Sequence, residues 1–460
     1  PTYDPLTRRA FVVNAGSATV DVLDLRNPHR PEKVASLDIV ADLAPRPVGA
    51  ANSVDTRFGI LAVAIEADPK QDDGYVAFYS TFTLKLLGVA PAGALPDMVT
   101  FSDSGRYVVV ANEGEPDTTY TNDPEGTVTI IDLYRLGRPG FTRNVRFDAF
   151  NVGGPRHDEL PDEVRIYGPN ATVAQDLEPE YITTDGDTAY VTLQEANALA
   201  VIDIRNARIL KIRALGFKDH SLPGNELDAS DRDNAINIAN WPVFGMYQPD
   251  AIASFKMKGK TYLVTANEGD SRDYDAFGEE ARVSSLTLDP TAFPNAATLR
   301  NNANLGRLTV TNTLGDTNGD GDFDQLYTLG GRSFTIWDAA TGAIVFDCGS
   351  ELERTLANLL PGEFNANHEE NGSLDNRSDN KGPEPEGVAI GEVRGKPYLF
   401  LVLERIGGVM VYDLSDPKAP LFVDYLNNRH FRDSAGEPIP TCDQFEPADS
   451  DDIEDCVSPN

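Results

Sequence analysis

Several things are scarce in this sequence, and each shortage removes a class of function. Three cysteines, with no C-x-x-C among them, leave no thiolate zinc site. Five histidines and no G-x-S-x-G give no basis for histidine-rich zinc chemistry or for a Ser-His-Asp triad. No apolar run reaches the roughly 18 residues that a membrane-crossing helix needs. Basic residues are short: 39 Lys and Arg stand against 73 Asp and Glu, a net charge of −34. That argues against nucleic acid, whose binding rests on Lys and Arg at phosphates, and against an anionic membrane surface. No signal peptide is visible. The chain opens at Pro1 inside what reads as structured sequence, so the expectation is a leader removed or left out.

What is present is apolar content of 40% with 38 Gly and 31 Pro in 460 residues. That composition suits many short strands joined by tight turns. The acidic excess has two readings. It is a solvated surface that keeps a secreted or halophilic protein soluble, or bound Ca²⁺ neutralises part of it, since calcium selects carboxylate oxygens.

One unit recurs. Leu95-Pro96-Asp97 leads into an apolar run and, after a turn, to Tyr107–Val110 and then Ala111-Asn112-Glu113-Gly114-Glu115. Pro179-Glu180 leads likewise to Glu195, Pro249-Asp250 to Ala266-Asn267-Glu268-Gly269-Asp270, and Pro385-Glu386 to Glu404. The first acid and the last Glu are 16, 15, 18 and 18 positions apart, which fits two strands of about six residues and a turn. A third strand ending in an acid follows at Ile131-Asp132, Ile202-Asp203, Trp337-Asp338 and Tyr412-Asp413. Units are expected near 1–40, 45–90, 94–150, 177–215, 248–310, 325–350 and 384–426. A meander repeated at this period predicts an all-β fold, a seven-bladed β-propeller over 1–432 with long loop insertions on one face. Residues 433–460 read as an acidic C-terminal tail, where a Cys442–Cys456 disulfide would pin the end. Helices are expected at 350–360 and, more weakly, over 225–238.

In a blade, the start of the first strand lies beside the end of the second. Asp97 should therefore meet Glu113, Glu180 meet Glu195, Asp250 meet Glu268, and Glu386 meet Glu404, all at one rim, with Glu66 adding another acid. Carboxylates gathered this way repel one another unless cations or protons intervene, and a hard cation with six to eight oxygen ligands suits them. The alternative is that the acids bond backbone amides and lock the ring. A second calcium signal is local. Asp316, Asn318, Asp320, Asp322 and Asp324 place oxygen side chains at alternate positions, with Gly321 at the sharp turn. Position 12 is Tyr327 rather than a bidentate Glu, so the loop reads as an isolated calcium site that rigidifies an insertion.

For chemistry, Ca²⁺ with Arg272 or Arg332 beside it could bind a phosphate ester and activate water. The competing reading is that each Arg neutralises a neighbouring acid.

The motifs Phe11–Ala15, Leu95-Pro96-Asp97, Ala111–Glu115, Ala266–Arg272, the 316–324 loop, Gly330–Phe334 and Gly382–Gly387 together resemble the choice-of-anchor I family of extracellular β-propellers, over about residues 8–432. Some members are labelled alkaline phosphatases. The resemblance implies a secreted or cell-surface, calcium-loaded propeller. The functions expected are a calcium-dependent phosphomonoesterase or, alternatively, a non-enzymatic matrix or filament-forming protein. Members usually close the ring with a further Gly-Pro-Glu-Gly strand pair, which residues 433–460 lack. Three closures stay open: a truncated chain, an altered closure by the tail, or a strand from another chain, the last giving self-assembly by strand exchange.

Overall fold

The computed structural model describes residues 1–432 apart from Pro139, together with 436, 438 and 439. The Cys442–Cys456 pairing lies outside the described residues, as does nearly all of the expected acidic tail.

The fold is all-β. Among the described residues, six sheets are four-stranded antiparallel meanders in which consecutive strands pair. The first holds Thr2–Asp4, Arg9–Asn14, Thr19–Asp24 and Glu32–Asp38, and the second Ala51–Arg57, Ile60–Ile65, Asp73–Ser80 and Leu86–Ala94. The third holds Pro96–Phe101, Tyr107–Asn112, Thr127–Asp132 and Thr142–Arg146, and the fourth Pro179–Asp185, Thr188–Leu193, Ala198–Asp203 and Arg208–Ala214. The fifth holds Ile252–Met257, Lys260–Asn267, Ser333–Asp338 and Ile344–Asp347, and the sixth Pro385–Val393, Lys396–Leu403, Val409–Asp413 and Leu421–Leu426. The segments read as separate units at 248–310 and 325–350 are thus one sheet. Lys260–Asn267 pairs with Ser333–Asp338 across a long insertion, Asn267 opposite Ser333.

The chain forms two compact units. The first contains Pro1–Ala214 with Tyr274–Phe277, and the second contains the rest. In the first unit, four sheets stack in succession through shared cores. Phe11, Val20 and Val22 pack with Leu61, Val63 and Ala77. Ala62, Val76 and Phe78 pack with Val99, Val108 and Val110. Val109, Val128 and Ile130 pack with Val191, Ala198 and Ala200. The middle strands are the most apolar because both of their faces are covered: Tyr107–Asn112 and Thr127–Asp132 are buried at every position.

The second unit holds the last two meanders and a five-stranded sheet built from the insertions, in the order Phe217–Asp219, Phe244–Met246, Tyr327–Thr328, Thr309–Thr311 and Glu280–Arg282. A core of Leu227, Val283, Leu305, Leu308 and Val310 supports it. So these insertions are folded rather than loose decoration. The helix expected at 350–360 is present as Glu351–Leu359, with Leu352 and Leu356 buried. The weaker one over 225–238 is absent; there the Asp228 carboxylate accepts from Ser230 and Asn237 N–H groups, and an acid that competes for backbone donors in this way favours turns over helix. Among the described residues, no helix is long and apolar enough to cross a membrane.

Candidate functional site

The Pro-acid motif has a backbone cause. Where Pro96–Phe101 pairs with Tyr107–Asn112, Ala111 faces Met98 and Asn112 faces Pro96, so Asp97 is the extra residue of a β-bulge. Pro385 faces Leu403 and Gly387 faces Val402, which makes Glu386 the extra residue there. The register also shifts between Pro179 and Ile182, around Glu180. A bulge re-aims a side chain that strict alternation would send into the core or out of it. Proline fits at this entry because no ladder donor is needed.

The residue before the proline is left-handed at three of these sites: Leu95 (φ 46°), Gln248 (φ 39°) and Glu384 (φ 48°). Non-glycine residues rarely adopt this conformation. It turns a carbonyl toward the second strand's acid: Glu113 N–H donates to Leu95 O at 2.9 Å and Glu404 N–H to Glu384 O at 2.9 Å. At the Gln248 site the donor is Gly269 N–H, 3.1 Å from Gln248 O. Each bond pins the end of the second strand beside the start of the first.

The four acid pairs divide between the units, Asp97/Glu113 and Glu180/Glu195 in the first, Asp250/Glu268 and Glu386/Glu404 in the second. In the first unit, Asp97 is pushed up to about 6 by burial and then by Glu115 and Glu66. Glu113 is pushed well above the usual carboxylate range by burial, then by Glu115, Asp97, Glu195 and Glu178. The sequence reading did not name Glu178 as a ligand. Lys70 contacts this set through an ion pair with Glu115. Glu66 Oε1 accepts from Ala50 N–H at 3.1 Å, the backbone-locking role rather than a free ligand position. With the Gln194 amide turned to donate, its nitrogen reaches both Glu180 oxygens, at 2.7 and 3.1 Å.

An aromatic wall belongs to the same unit. Tyr120 meets Tyr274 edge-on at 5.4 Å and Phe277 at 6.1 Å, and Ala276 N–H donates to Thr118 O at 3.1 Å. Burial and then Glu115, Glu178, Glu195 and Glu113 raise the Tyr274 hydroxyl, which places it among the acids.

In the second unit a lysine enters the acid cluster. Glu268, Glu384 and Glu404 each bring a carboxylate oxygen within 4.8 Å of the others. Lys381 Nζ lies 2.6 Å from Glu268 Oε1 and 3.9 Å from Glu384 Oε2. Arg377 Nε is 2.5 Å from Glu384, and Arg405 Nε is 3.2 Å from Glu384 and 3.1 Å from Glu404. Burial opposes ionisation of Glu384, yet Lys381, Arg377 and Arg405 together hold it below its ordinary range. Burial outweighs Lys381 at Glu268, which is pushed up to about 7. The lysine stays charged, and the surplus negative charge is spread over the carboxylates. Glu386 is raised by burial and then by Glu268. Asp250 lies just outside its strand, which begins at Ile252, rather than on a bulge.

The 316–324 loop closes on itself through Asp–backbone bonds. Asp316 accepts from Gly319 N–H at 2.7 Å and Gly321 N–H at 3.0 Å, and Asp324 accepts from Thr317 N–H at 2.8 Å. Asp320 and Asp322 follow the same local pattern: Asn318 Oδ1 accepts from Asp320 N–H at 2.9 Å and Asp320 Oδ1 from Asp322 N–H at 3.2 Å. Asp322 and Asp324 converge with Asp289, each bringing an oxygen within 4.8 Å of the others. Asp322 Oδ1 is enclosed with no hydrogen-bond donor. An all-oxygen donor set with an orphaned carboxylate oxygen fits a hard cation. Asp289 was not foreseen; it comes from another part of the chain and carries no local signal.

The two arginines considered for phosphate are buried, Arg272 and Arg332 each 2% exposed. Arg332 is committed to protein acceptors: Asp228 O (2.7 Å), Glu353 Oε1 (2.7 Å), Ser378 O (2.8 Å) and Asn380 O (2.6 Å). Its guanidinium ties three segments together, and its pairing with Glu353 is the acid-neutralising role rather than the phosphate-holding one. The Arg272 backbone pairs both ways with Glu279, N–H to Oε1 at 3.2 Å and O from N–H at 3.0 Å.

A family model described as the Choice-of-anchor I domain matches residues 1–417. The mesenchyme-specific cell surface glycoprotein of Strongylocentrotus purpuratus is 26% identical over 339 residues, 66% of this chain and 42% of that protein. Gigasin-3a of Magallana gigas is 32% identical over 121 residues, 25% of this chain and 42% of that protein. The chain thus matches less than half the length of either relative. Among solved structures, a dihydro-heme d1 dehydrogenase is 14% identical with a TM-score of 0.32, covering 92% of this chain and 74% of that one.

Proposed function

The chain belongs to the choice-of-anchor I family, and from that premise we propose that it is an extracellular or cell-surface module whose bulged strand entries hold calcium for rigidity and contact rather than for turnover. The meanders are its propeller blades. The kinship with a cell surface glycoprotein supports the location. The observation that carries the calcium reading is the pair Asp97 and Glu113. Both acids are raised by burial and by other carboxylates, and the ammonium in contact with their set is Lys70, on Glu115. A divalent cation would relieve that repulsion. Asp97 and Glu113 are the groups to hold one ion, and Asp289, Asp322 and Asp324, whose oxygens lie within 4.8 Å of one another, a second.

The test is calorimetric calcium titration of the chelator-treated chain. Replacing Asp97→Asn and Glu113→Gln together should remove one bound calcium and its contribution to thermal stability. An unchanged stoichiometry in the folded variant would falsify the assignment.

The phosphomonoesterase alternative needs a cation free to meet phosphate. With Arg332 spent on four protein acceptors, that alternative loses one of its two anion holders. Assembly by strand addition has one supporting feature. Leu421–Leu426 is the outer strand of its sheet and exposes Leu421, Val423 and Leu426.

A further inference from the structure

A second group of buried acids forms in the second unit from the insertions 216–247 and 362–384, and it shares no residue with the strand-end repeat. Asp228 is fully buried and Asp375 is 7% exposed. Asp228 Oδ2 accepts from Asn237 N–H at 2.5 Å and Oδ1 from Ser230 N–H at 3.3 Å. Asp375 Oδ1 accepts from the Ser378 hydroxyl. Burial pushes Asp375 up to about 8, helped by Asp228, Asp233 and Glu353, and pushes Asp228 up to about 7, helped first by Glu353. Glu353 already has its counter-charge in Arg332 at 2.7 Å, and its other oxygen takes Asp228 N–H at 2.9 Å. Among the described residues neither Asp228 nor Asp375 has an ion pair, and the guanidinium at hand, Arg332, is bonded to the Asp228 carbonyl and to Glu353 instead.

Asn365 supplies an independent pointer. It is fully buried, and its amide nitrogen donates to Ser378 Oγ at 2.9 Å and Glu353 Oε1 at 3.4 Å. The side chain is therefore seated among the groups that hold Asp375 and Asp228. Its Oδ1 is enclosed with no donor. An orphaned buried carbonyl oxygen costs free energy, and this one belongs to a side chain whose amide shares Ser378 Oγ with Asp375 and Glu353 with the Asp228 N–H.

We propose that Asp228, Asp375 and Asn365 form a buried calcium site that staples the two insertions to one another. The donors are all oxygens, which selects a hard cation, and a divalent charge matches two carboxylates. Magnesium keeps several waters, whereas calcium accepts more protein oxygens. This site stands independently of the one at Asp97 and Glu113.

Trp241 makes the site measurable. Its indole N–H donates to Leu227 O at 3.1 Å, next to Asp228, and the chain has two tryptophans. Terbium, a calcium surrogate, is titrated into the metal-free full chain and its tryptophan-excited emission recorded. The emission should fall severalfold in Trp241→Phe, persist in Trp337→Phe, and be displaced by calcium. Asp375→Asn should weaken terbium binding about tenfold or more. Asn365→Asp, which adds a negative ligand, should tighten it, and this second variant keeps the test decisive where Asp375→Asn does not fold. Emission kept in Trp241→Phe, unchanged affinity in either site variant, or loss in the Asp97/Glu113 variant instead would each overturn the proposal.

Discussion

Lys381 Nζ lies 2.6 Å from Glu268 Oε1 and 3.9 Å from Glu384 Oε2, two of the three acids in the group that Glu268 forms with Glu384 and Glu404. The ammonium supplies part of the positive charge that a metal would bring to three carboxylates. In the first unit the comparable ammonium, Lys70, sits on Glu115 at the end of the Asn-Glu-Gly-Glu stretch. The same strand-entry device therefore has two electrostatic solutions, a tethered cation in one unit and an acidic surplus in the other.

Replacing Lys381→Met should separate the two solutions. Removing one partner of a buried ion pair strands the other, at about 3 kcal/mol or more. The variant should lose that much stability in chelator, read by urea unfolding, and regain part of it in calcium. The regain is expected because Glu268, Glu384 and Glu404 already converge within 4.8 Å. A variant as stable as the parent, or one blind to calcium, would contradict the role given to Lys381.

The metal-free protein should weaken as pH rises through neutrality. Asp97 is raised to about 6, Glu268 and Asp228 to about 7, and Asp375 to about 8. Each folded value lies above the unfolded one, so each proton favours the native state. The contribution is full below the unfolded carboxylate range of about 4 and is lost as pH climbs through the folded values. Chelator-treated protein should lose several kcal/mol between about pH 5 and pH 8, with Asp375 contributing most. Calcium should flatten the profile. Thermal unfolding across pH with and without calcium checks both, and stability that rises over this window in chelator would contradict the sign.

Much of this was legible along the chain where the cause is local. Pro-acid reads as a strand entry, and Pro96 and Pro385 each open a strand, with Asp97 and Glu386 on a bulge that the sequence does not announce. The alternation in 316–324 encodes its own turn of Asp–backbone bonds. What was not legible depends on distant pairing. Lys260–Asn267 and Ser333–Asp338 each read as strands, but nothing local says they are partners across an insertion. Glu384, Lys381 and Asp289 enter their clusters from loops, with no period to mark them. Gly330-Gly331-Arg332-Ser333 leaves open whether Arg332 meets phosphate or an acid of the protein, because its acceptors come from residues 228, 353, 378 and 380.

Gly330 should tolerate no side chain. Its φ is 73°, and an added Cβ would fall 1.8 Å from Glu268 O. Both the left-handed backbone and the contact forbid alanine. Gly330→Ala should displace the Glu268 end of its strand and cost stability comparable to a severe core substitution, about 3 kcal/mol or more. Circular dichroism melts check the loss. A melt within error of the parent would mean this contact is loose in solution.

Arg332 gives the sharpest contrast between architecture and catalysis. It is 2% exposed, left-handed at φ 50°, and donates to four acceptors in three separate segments. Lysine keeps the charge but offers a single nitrogen in place of a planar fork, so it cannot reach all four. Arg332→Lys should lower stability by about 3 kcal/mol and loosen the 362–384 insertion, visible as faster amide exchange there. Hydrolysis of a generic phosphomonoester in calcium should be at background in both parent and variant. Calcium-dependent turnover in the parent that Arg332→Lys abolishes without loss of stability would restore a phosphate-binding role to this residue. The burial of its guanidinium argues against that outcome, because a phosphate would have to displace the Glu353 carboxylate and three backbone carbonyls to reach it.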